Sequence, residues 1–402
     1  MTHAFIKSCL LICSMIQMYY ELIFITLVVY FIVMIGYIKI KYPFWSLQPV
    51  FHKYDFWRHI YQKHFIIVKN IRLLSRYYQP MIKTCKYESF DCLDEYIHFI
   101  HCHYIKSEKV IMKADRNYFD SYFTGLNKSS FISIFEDKST IIASMTSRSL
   151  HLFHNNFDYD LYYIDMVCIK RDTKKSDHVF LNLFHTHICN QTNMDSSVKS
   201  FIFKKEIELI EELVPLVQFT TFLFYTNKKL INKVLLPDKI ICTRISGNNF
   251  SLLTDFLSNI SKDVKNTCII PDAPNLLTLI DNNHYFVYCL INGSNILAFY
   301  FFKNTHIQYE EYDDDVFQFV LSYNNTKSNT LFFDGFLKAI QMFNLVNKIS
   351  LILYDNISHN TLLLEKTLDN HHIVFKHECA YYLYNAILPR MPLNNQIFFC
   401  LI

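Results

Sequence analysis

Residues 161–191 read LYYIDMVCIKRDTKKSDHVFLNLFHTHICNQ. The run from Leu161 to Ile169 is rich in aromatic and β-branched residues, the composition of a strand. It runs into a polar loop, and a helix is expected to start at about Asp177. The segment VKSFIFKK (residues 198–205) then reads as a further strand. Upstream, SSFISIFEDKSTIIASMTS (residues 129–147) holds two apolar runs around residues 136–140, a hairpin signal. RSLHLFHNNFDYDLYYIDMVCI (residues 148–169) gives two more strands, with the turn placed at residues 155–160. Antiparallel strands that feed a loop, a helix and another strand make an α+β layered domain.

The second half repeats this theme. YFVYCLING and NILAFYFF form a hairpin around residues 292–294, with Gly293 at the turn. DGFLKAIQMFNLV is a helix, KISLILYD a strand, NTLLLEKTLDN a helix and CAYYLYNA a strand. The expected division is 1–40 as an N-terminal anchor, 41–225 as one half and 226–402 as the other. The end of the chain, NNQIFFCLI, is apolar to its last residue, Ile402. Chain ends ordinarily fray into water, so a last strand is expected there.

Composition narrows the function classes. The chain of 402 residues is 51% hydrophobic and 17% aromatic, enough for a large core. Its net charge is +3 with the basic residues scattered, so no nucleic-acid partner is expected. Twelve cysteines stand singly, without a CxxC pair, which favours reduced thiols over a disulfide framework. His98, His101, Cys102 and His103 have ligand chemistry, but LDEYIHFIHCHYIKS spaces Leu93, Ile97, Ile100 and Tyr104 as one apolar face. That stretch is read as an amphipathic helix, and no metal is expected.

Residues 22–38, LIFITLVVYFIVMIGYI, carry no charge and suit a membrane-spanning helix. Lys7 precedes it, and Lys39, Lys41, Lys53 and Arg58 follow, so the positive-inside rule puts the rest of the chain in the cytoplasm behind a single-pass anchor. No GxSxG, HExxH or Walker loop is present. The chemically informative place is the junction at Lys174, Lys175 and Ser176, where a helix N-terminus presents free N–H groups suited to phosphate. A solvated basic loop is the other reading of the same residues.

Four segments, in order, resemble N-myristoyltransferases, acyltransferases built from two tandem GNAT-like halves. They are FWSLQPV (residues 44–50), LDEYIHFIHCHYI (93–105), TIIASMTS with LYYIDMVCIKRD (140–172), and LEKTLDNHHIVFKHECAYYLYNAILPRM (364–391). FHTHICNQ followed by FIFKKE is similar to a divergent branch found in large DNA viruses. The resemblance implies an α+β fold of two tandem GNAT-like acyl-CoA N-acyltransferase domains, with mixed sheets flanked by helices, after the membrane helix. It implies a fatty acyl group, myristoyl first, passing from acyl-CoA to the N-terminal glycine amine of a peptide.

By position, the resemblance makes the backbone amides of Met166 and Val167 the oxyanion hole and the carboxylate of Ile402 the base. Phe44, Trp45, Lys174, Lys175 and Ser176 would hold acyl-CoA, and Tyr104 the peptide. The expected partners are acyl-CoA, a glycine peptide and a membrane, either of a host cell or of a virion. Two departures keep an alternative open. Asp177 stands where the family has arginine, and Val179 where it has a small residue. The acidic stretch after the family's Asn-Tyr-Val helix is replaced by Lys106, Ser107, Glu108, Lys109 and Val110. The alternative is an inactive relative that keeps the fold as a binding or virion-structural protein.

Overall fold

The computed structural model describes residues 2–55, 58, 65–105, 110–174, 176–226, 234–309, 315–347, 349–368 and 373–402. Helix α1 (Thr2–Lys41) opens the chain. Within it Met15–Lys41, 27 residues with an 18-residue stretch of mean hydropathy 2.4, has no part buried against the rest of the protein. At about 1.5 Å per residue this helix spans about 40 Å, more than a hydrocarbon core of about 30 Å. It is therefore long and apolar enough to cross a membrane. The uncharged stretch 22–38 lies within this longer helix, which runs through Glu21, whose carboxylate accepts a hydrogen bond from Gln17 (3.2 Å).

The rest is one mixed sheet covered by helices, laid down as a series of elements that occurs twice. The first series is β1 (Ile82–Lys86), α2 (Leu93–His103), β2 (Val110–Met112), α3 (Arg116–Phe123), β3 (Phe131–Asp137), β4 (Thr140–His154), β5 (Phe157–Ile169), α4 (Ser176–Met194), β6 (Phe201–Glu206) and β7 (Val217–Tyr225). The second is β8 (Ile240–Arg244), α5 (Phe250–Lys262), β9 (Thr267–Ile270), α6 (Ala273–Asp281), β10 (Tyr285–Asn292), β11 (Asn295–Tyr309), β12 (Asp315–Asn324), α7 (Asn329–Val346) and β13 (Leu351–Asp355). Helix α8 (Thr361–Leu368) and strand β14 (Ile373–Tyr384) complete it, and β15 (Phe398–Cys400) is added at the end.

The sheet order is β1-β3-β4-β5-β6-β14-β7-β13-β12-β11-β10-β8. Read from either end, the two series match strand for strand, except that their last strands are exchanged. β14 pairs with β6, β7 pairs with β13, and β7 and β14 pair with each other in the middle. β2 and β9 cross over as well, β2 to β11 and β9 to β4. Parallel neighbours need a long connection. α4 supplies it between β5 and β6, and α7 between β12 and β13.

Local sequence explains the hairpins. Lys138 and Ser139 both have positive φ (48° and 64°), as do Asn155 and Asn156 (51° and 64°), the backbone of a two-residue turn that follows strand twist. The expectation of separate strands on either side of Arg148 is corrected. β4 runs unbroken from Thr140 to His154, and the turn occupies only Asn155 and Asn156. The apolar end is a strand, as expected. β15 runs parallel to β9, Leu401 N–H donates to the Ile269 carbonyl (2.8 Å), and Phe398 to Ile402 are all buried.

At Gly335, α7 lies close against the sheet. A Cβ there would collide with the Tyr300 hydroxyl and come within 3.0 Å of a Leu290 methyl. Tyr300 is fixed because its hydroxyl donates to the Phe332 carbonyl (2.7 Å). Alanine gains about 1 kcal/mol of helix propensity over glycine, but overpacking costs about 1–3 kcal/mol. Gly335→Ala is therefore expected to lower the thermal midpoint, and a raised midpoint would show that the contact yields.

Candidate active site

The site begins at an irregularity in β5. Ser144 pairs with Cys168 and Thr146 with Asp165, so Met145 faces two residues, Met166 and Val167. This is a β-bulge, with Met166 at φ 48°. A non-glycine residue there costs on the order of 1 kcal/mol or more and persists only if its neighbours hold it. Asp165 does most of this. Its Oδ1 accepts from Met166 N–H (2.8 Å), its Oδ2 from the Tyr122 hydroxyl (2.6 Å), and its carbonyl from Thr146 Oγ1 (3.0 Å).

Beyond the bulge, β5 and β6 part. They pair only at Tyr162–Phe201, Tyr163–Ile202 and Ile164–Phe203. The opening is a cleft of about 450 Å³ within the size range of small-molecule sites. Trp45, Tyr104, Val167, Phe180, Phe184 and Phe203 supply aromatic and aliphatic walls. Trp45 stacks on Phe203 (5.7 Å between centroids) and meets the edge of Phe184 (5.6 Å). Ser176 and Asp177, at the N-terminus of α4, and Lys204 and Lys205 make the polar end.

Of the residues singled out from sequence, Trp45, Tyr104, Val167 and Ser176 meet in this cleft. Phe44 does not line it. It is buried behind Trp45 (5.0 Å) and Tyr77 (4.8 Å), and so acts on Trp45. Lys174 is exposed beside the α4 terminus. Lys175 lies outside the described residues, as do Lys106, Ser107, Glu108 and Lys109. Asp177 is at the polar end, where it opposes an anion. The stretch from Leu93 is a helix as read, but its buried face is Leu93, Tyr96, Phe99 and Ile100, with Ile97 and Tyr104 partly covered.

Two sequence elements read separately turn out to touch. Tyr384 donates from its hydroxyl to Gln48 Oε1 (2.7 Å), and Asn385 N–H to the Pro49 carbonyl (2.7 Å). Asn385 is buried at φ 56°, and its amide donates to the carbonyls of Val68 (2.9 Å) and Lys199 (2.8 Å). Every hydrogen-bonding group of that side chain is used, since Oδ1 accepts from Val68 N–H (2.8 Å). FWSLQPV and YYLYN thus form one joint.

From that joint the chain returns across the sheet to Ile402, whose main-chain oxygen accepts from Lys303 Nζ (3.2 Å). Burial pulls the Lys303 ammonium down to about 8. Its Nζ lies 5.7 Å from the Tyr122 ring, and the guanidinium of fully buried Arg148 lies on the same ring at 3.8 Å. Arg148 Nη1 donates to Asn275 Oδ1 (3.2 Å), while Nε and Nη2 have no hydrogen-bond partner among the described residues. Lys204 is ion-paired to Glu206 at 2.7 Å. Burial opposes its charge, but Asp355 and Glu206 outweigh that and raise its pKa. Arg148, Lys204 and Lys303 escaped the sequence reading. The available signal was a cation inside an apolar run, as in ILAFYFFK and FIFKK.

No protein-family model matches this chain, and no curated protein matches it in sequence. Solved structures do. It is similar to Saccharomyces cerevisiae N-myristoyltransferase with bound myristoyl-CoA, with a TM-score of 0.65 and 12% identity, over 87% of this chain and 93% of that one. Another structure of the yeast enzyme, with myristoyl-CoA and inhibitors, gives 0.63 and 13%, over 89% and 92%. The chain has the N-myristoyltransferase fold. The mixed sheet flanked by helices expected from sequence is the architecture present, and the cleft sits in the first of its two series of elements.

A second cluster lies at the β4–β5 tip, next to another cavity of about 450 Å³ lined by Phe153, Phe157, Leu257 and Leu276. His151 Nε2 contacts Asp272 (2.9 Å), and its Nδ1 contacts Asp158 (3.3 Å) and Asp160 (3.5 Å). The hydrogen bond to Asp272 leads in raising its pKa from 6.5 to about 9. A histidine raised in the fold stabilises fully below its unfolded pKa and loses that contribution as pH rises through the folded one. Stability is therefore expected to fall between pH 6.5 and about 9 by an amount on the order of 2 kcal/mol. Thermal melts of His151→Gln should lack that slope.

Proposed function

We propose that this protein is an acyl-CoA-dependent N-acyltransferase that moves a fatty acyl group, myristoyl first, to the amine of an N-terminal glycine. One observation carries the reading: an aromatic-walled cleft opens at a backbone bulge in the fold of an enzyme crystallised with myristoyl-CoA. The acyl chain would lie along Trp45, Phe180, Phe184 and Phe203, with Ser176 and the α4 terminus toward the CoA phosphates. Tyr104 would border the acceptor. α1 would hold the enzyme at a membrane, with the rest of the chain in the cytoplasm.

In the proposed reaction the Ile402 carboxylate takes a proton from the acceptor ammonium. The free amine attacks the thioester carbon, the C–S bond breaks, and the proton lost by the nitrogen as it becomes an amide goes to the sulfur, so that CoA leaves as the thiol. Of the two amides assigned to the oxyanion, Met166 N–H already donates to Asp165, so Val167 N–H comes first. Backbone donors serve whatever their side chains are.

Lys303 favours a second reading. Its ammonium already contacts the Ile402 oxygen, the place this mechanism gives to the acceptor amine. A protein that binds the donor without transferring it would look the same.

Calorimetry on the full chain in detergent separates these readings. Myristoyl-CoA is expected to bind with micromolar Kd, and acetyl-CoA and CoA about tenfold or more weakly. Trp45→Ala should weaken myristoyl-CoA by about tenfold, the effect of losing one to two kcal/mol of apolar contact. Transfer of labelled myristate to a glycine peptide, abolished by removing Leu401 and Ile402, would establish the enzyme. Binding without transfer would establish the second reading, and no binding would sink both.

A further inference from the structure

On the face of the sheet that carries Lys204, Glu206, His377 and Cys379 bring a carboxylate oxygen, a ring nitrogen and a thiol sulfur all within 4.8 Å of one another. The backbone makes this arrangement. Cys379 pairs directly with Glu206 across β6 and β14, and His377 stands two residues earlier on β14, hence on the same face. Beyond Glu206 the chain turns at Ile207 (φ 70°), whose N–H donates to the Glu378 carbonyl (2.9 Å). Glu206 is thereby held over His377 at the end of its strand.

A second observation asks for a ligand. His377 Nε2 is buried and has no hydrogen-bond partner among the described residues. A buried ring nitrogen without a partner is uncommon, because its desolvation goes uncompensated.

We propose that Glu206, His377 and Cys379 form a site for a divalent transition metal, zinc by the chemistry of its donors. Thiolate and imidazole together select zinc over magnesium or calcium. Metal–ligand bonds of about 2.0–2.3 Å put tetrahedral donors roughly 3.3–3.7 Å apart. The three atoms must close by about 1 Å, and Glu206, half exposed, has the freedom to do it. Glu206 now holds the Lys204 ammonium (2.7 Å), which a dication displaces toward Asp355. One carboxylate, one thiolate and one neutral imidazole balance the two positive charges. Three protein ligands leave one tetrahedral position for water. The site shares Lys204 with the polar end of the cleft, but the metal readouts below do not depend on acyl transfer.

The test is cobalt titration of the chelator-treated full chain in detergent. One equivalent of Co²⁺ should give a thiolate-to-cobalt charge-transfer band that Zn²⁺ abolishes. Cys379→Ser should remove the band, and His377→Ala and Glu206→Gln should each weaken binding at least tenfold. Zinc should raise the thermal midpoint of the wild type and leave that of His377→Ala unmoved. Cys102→Ser is the control, because Cys102 lies 3.7 Å from His98 Nε2 on an exposed helix face. Should Cys379→Ser fail to fold, His377→Ala and Glu206→Gln decide. No band in the wild type, a band lost in Cys102→Ser, or wild-type affinity in both of those variants overturns the site.

Discussion

β7 and β14 hydrogen-bond to each other at the centre of the sheet, from Ile373 opposite Phe224 to Tyr381 opposite Val217. Each is the last strand of its own series, and each is bonded on its other side to the opposite series. Neither half can finish its sheet alone. β14 is flanked on both edges, and from Cys379 to Tyr384 every side chain is buried, which accounts for the unbroken apolar run CAYYLY. The exchange also sets where the chain end goes. Asn385 turns it out of the first half, and β15 carries it to β9, so Ile402 arrives beside Lys303 of β11.

Local signals explain what the sequence shows and what it hides. Hairpins and the α4 junction rest on neighbours in the chain and were legible, and the apolar end showed the closing strand although its partner, β9, lies 131 residues away. The pairing of β7 with β14 joins residues 149 to 164 apart, and no local pattern encodes it. Arg148 interrupts the apolar run of β4, and a charge is ordinarily a fair sign of a strand end. Here the charge is inside. FWSLQPV and YYLYN stood out separately, and their contact through Gln48 and Tyr384 explains why the chain carries both.

The repeat itself was in plain view once its register is known. FISIFEDKSTIIASMTSR (residues 131–148) lies over FVYCLINGSNILAFYFFK (residues 286–303). Phe135 pairs with Ala143 and Leu290 with Ala298, and each ladder then slips at the next residue, so the two hairpins share a bulge as well as a turn. Ser139 matches Ser294, Ile141 matches Ile296, and Ala143 matches Ala298. Composition hid this, because an excess of Phe, Tyr and Ile makes chance matches common in a chain 51% hydrophobic.

That register also explains the buried charges. Arg148 and Lys303 each stand eight residues after the start of their strand, so they are the same position in the two halves. Both point at one ring, that of Tyr122, whose hydroxyl donates to Asp165. Removing a cation from water costs several kcal/mol, and a cation over an aromatic face recovers about 2. The remainder falls to charge, and Asp165 attracts both cations. The same carboxylate holds Met166 in its left-handed conformation. The bulge that opens the cleft and the two cations over Tyr122, one of which meets Ile402, are therefore one electrostatic unit, and loss of the Asp165 charge would release the bulge and strand both cations together.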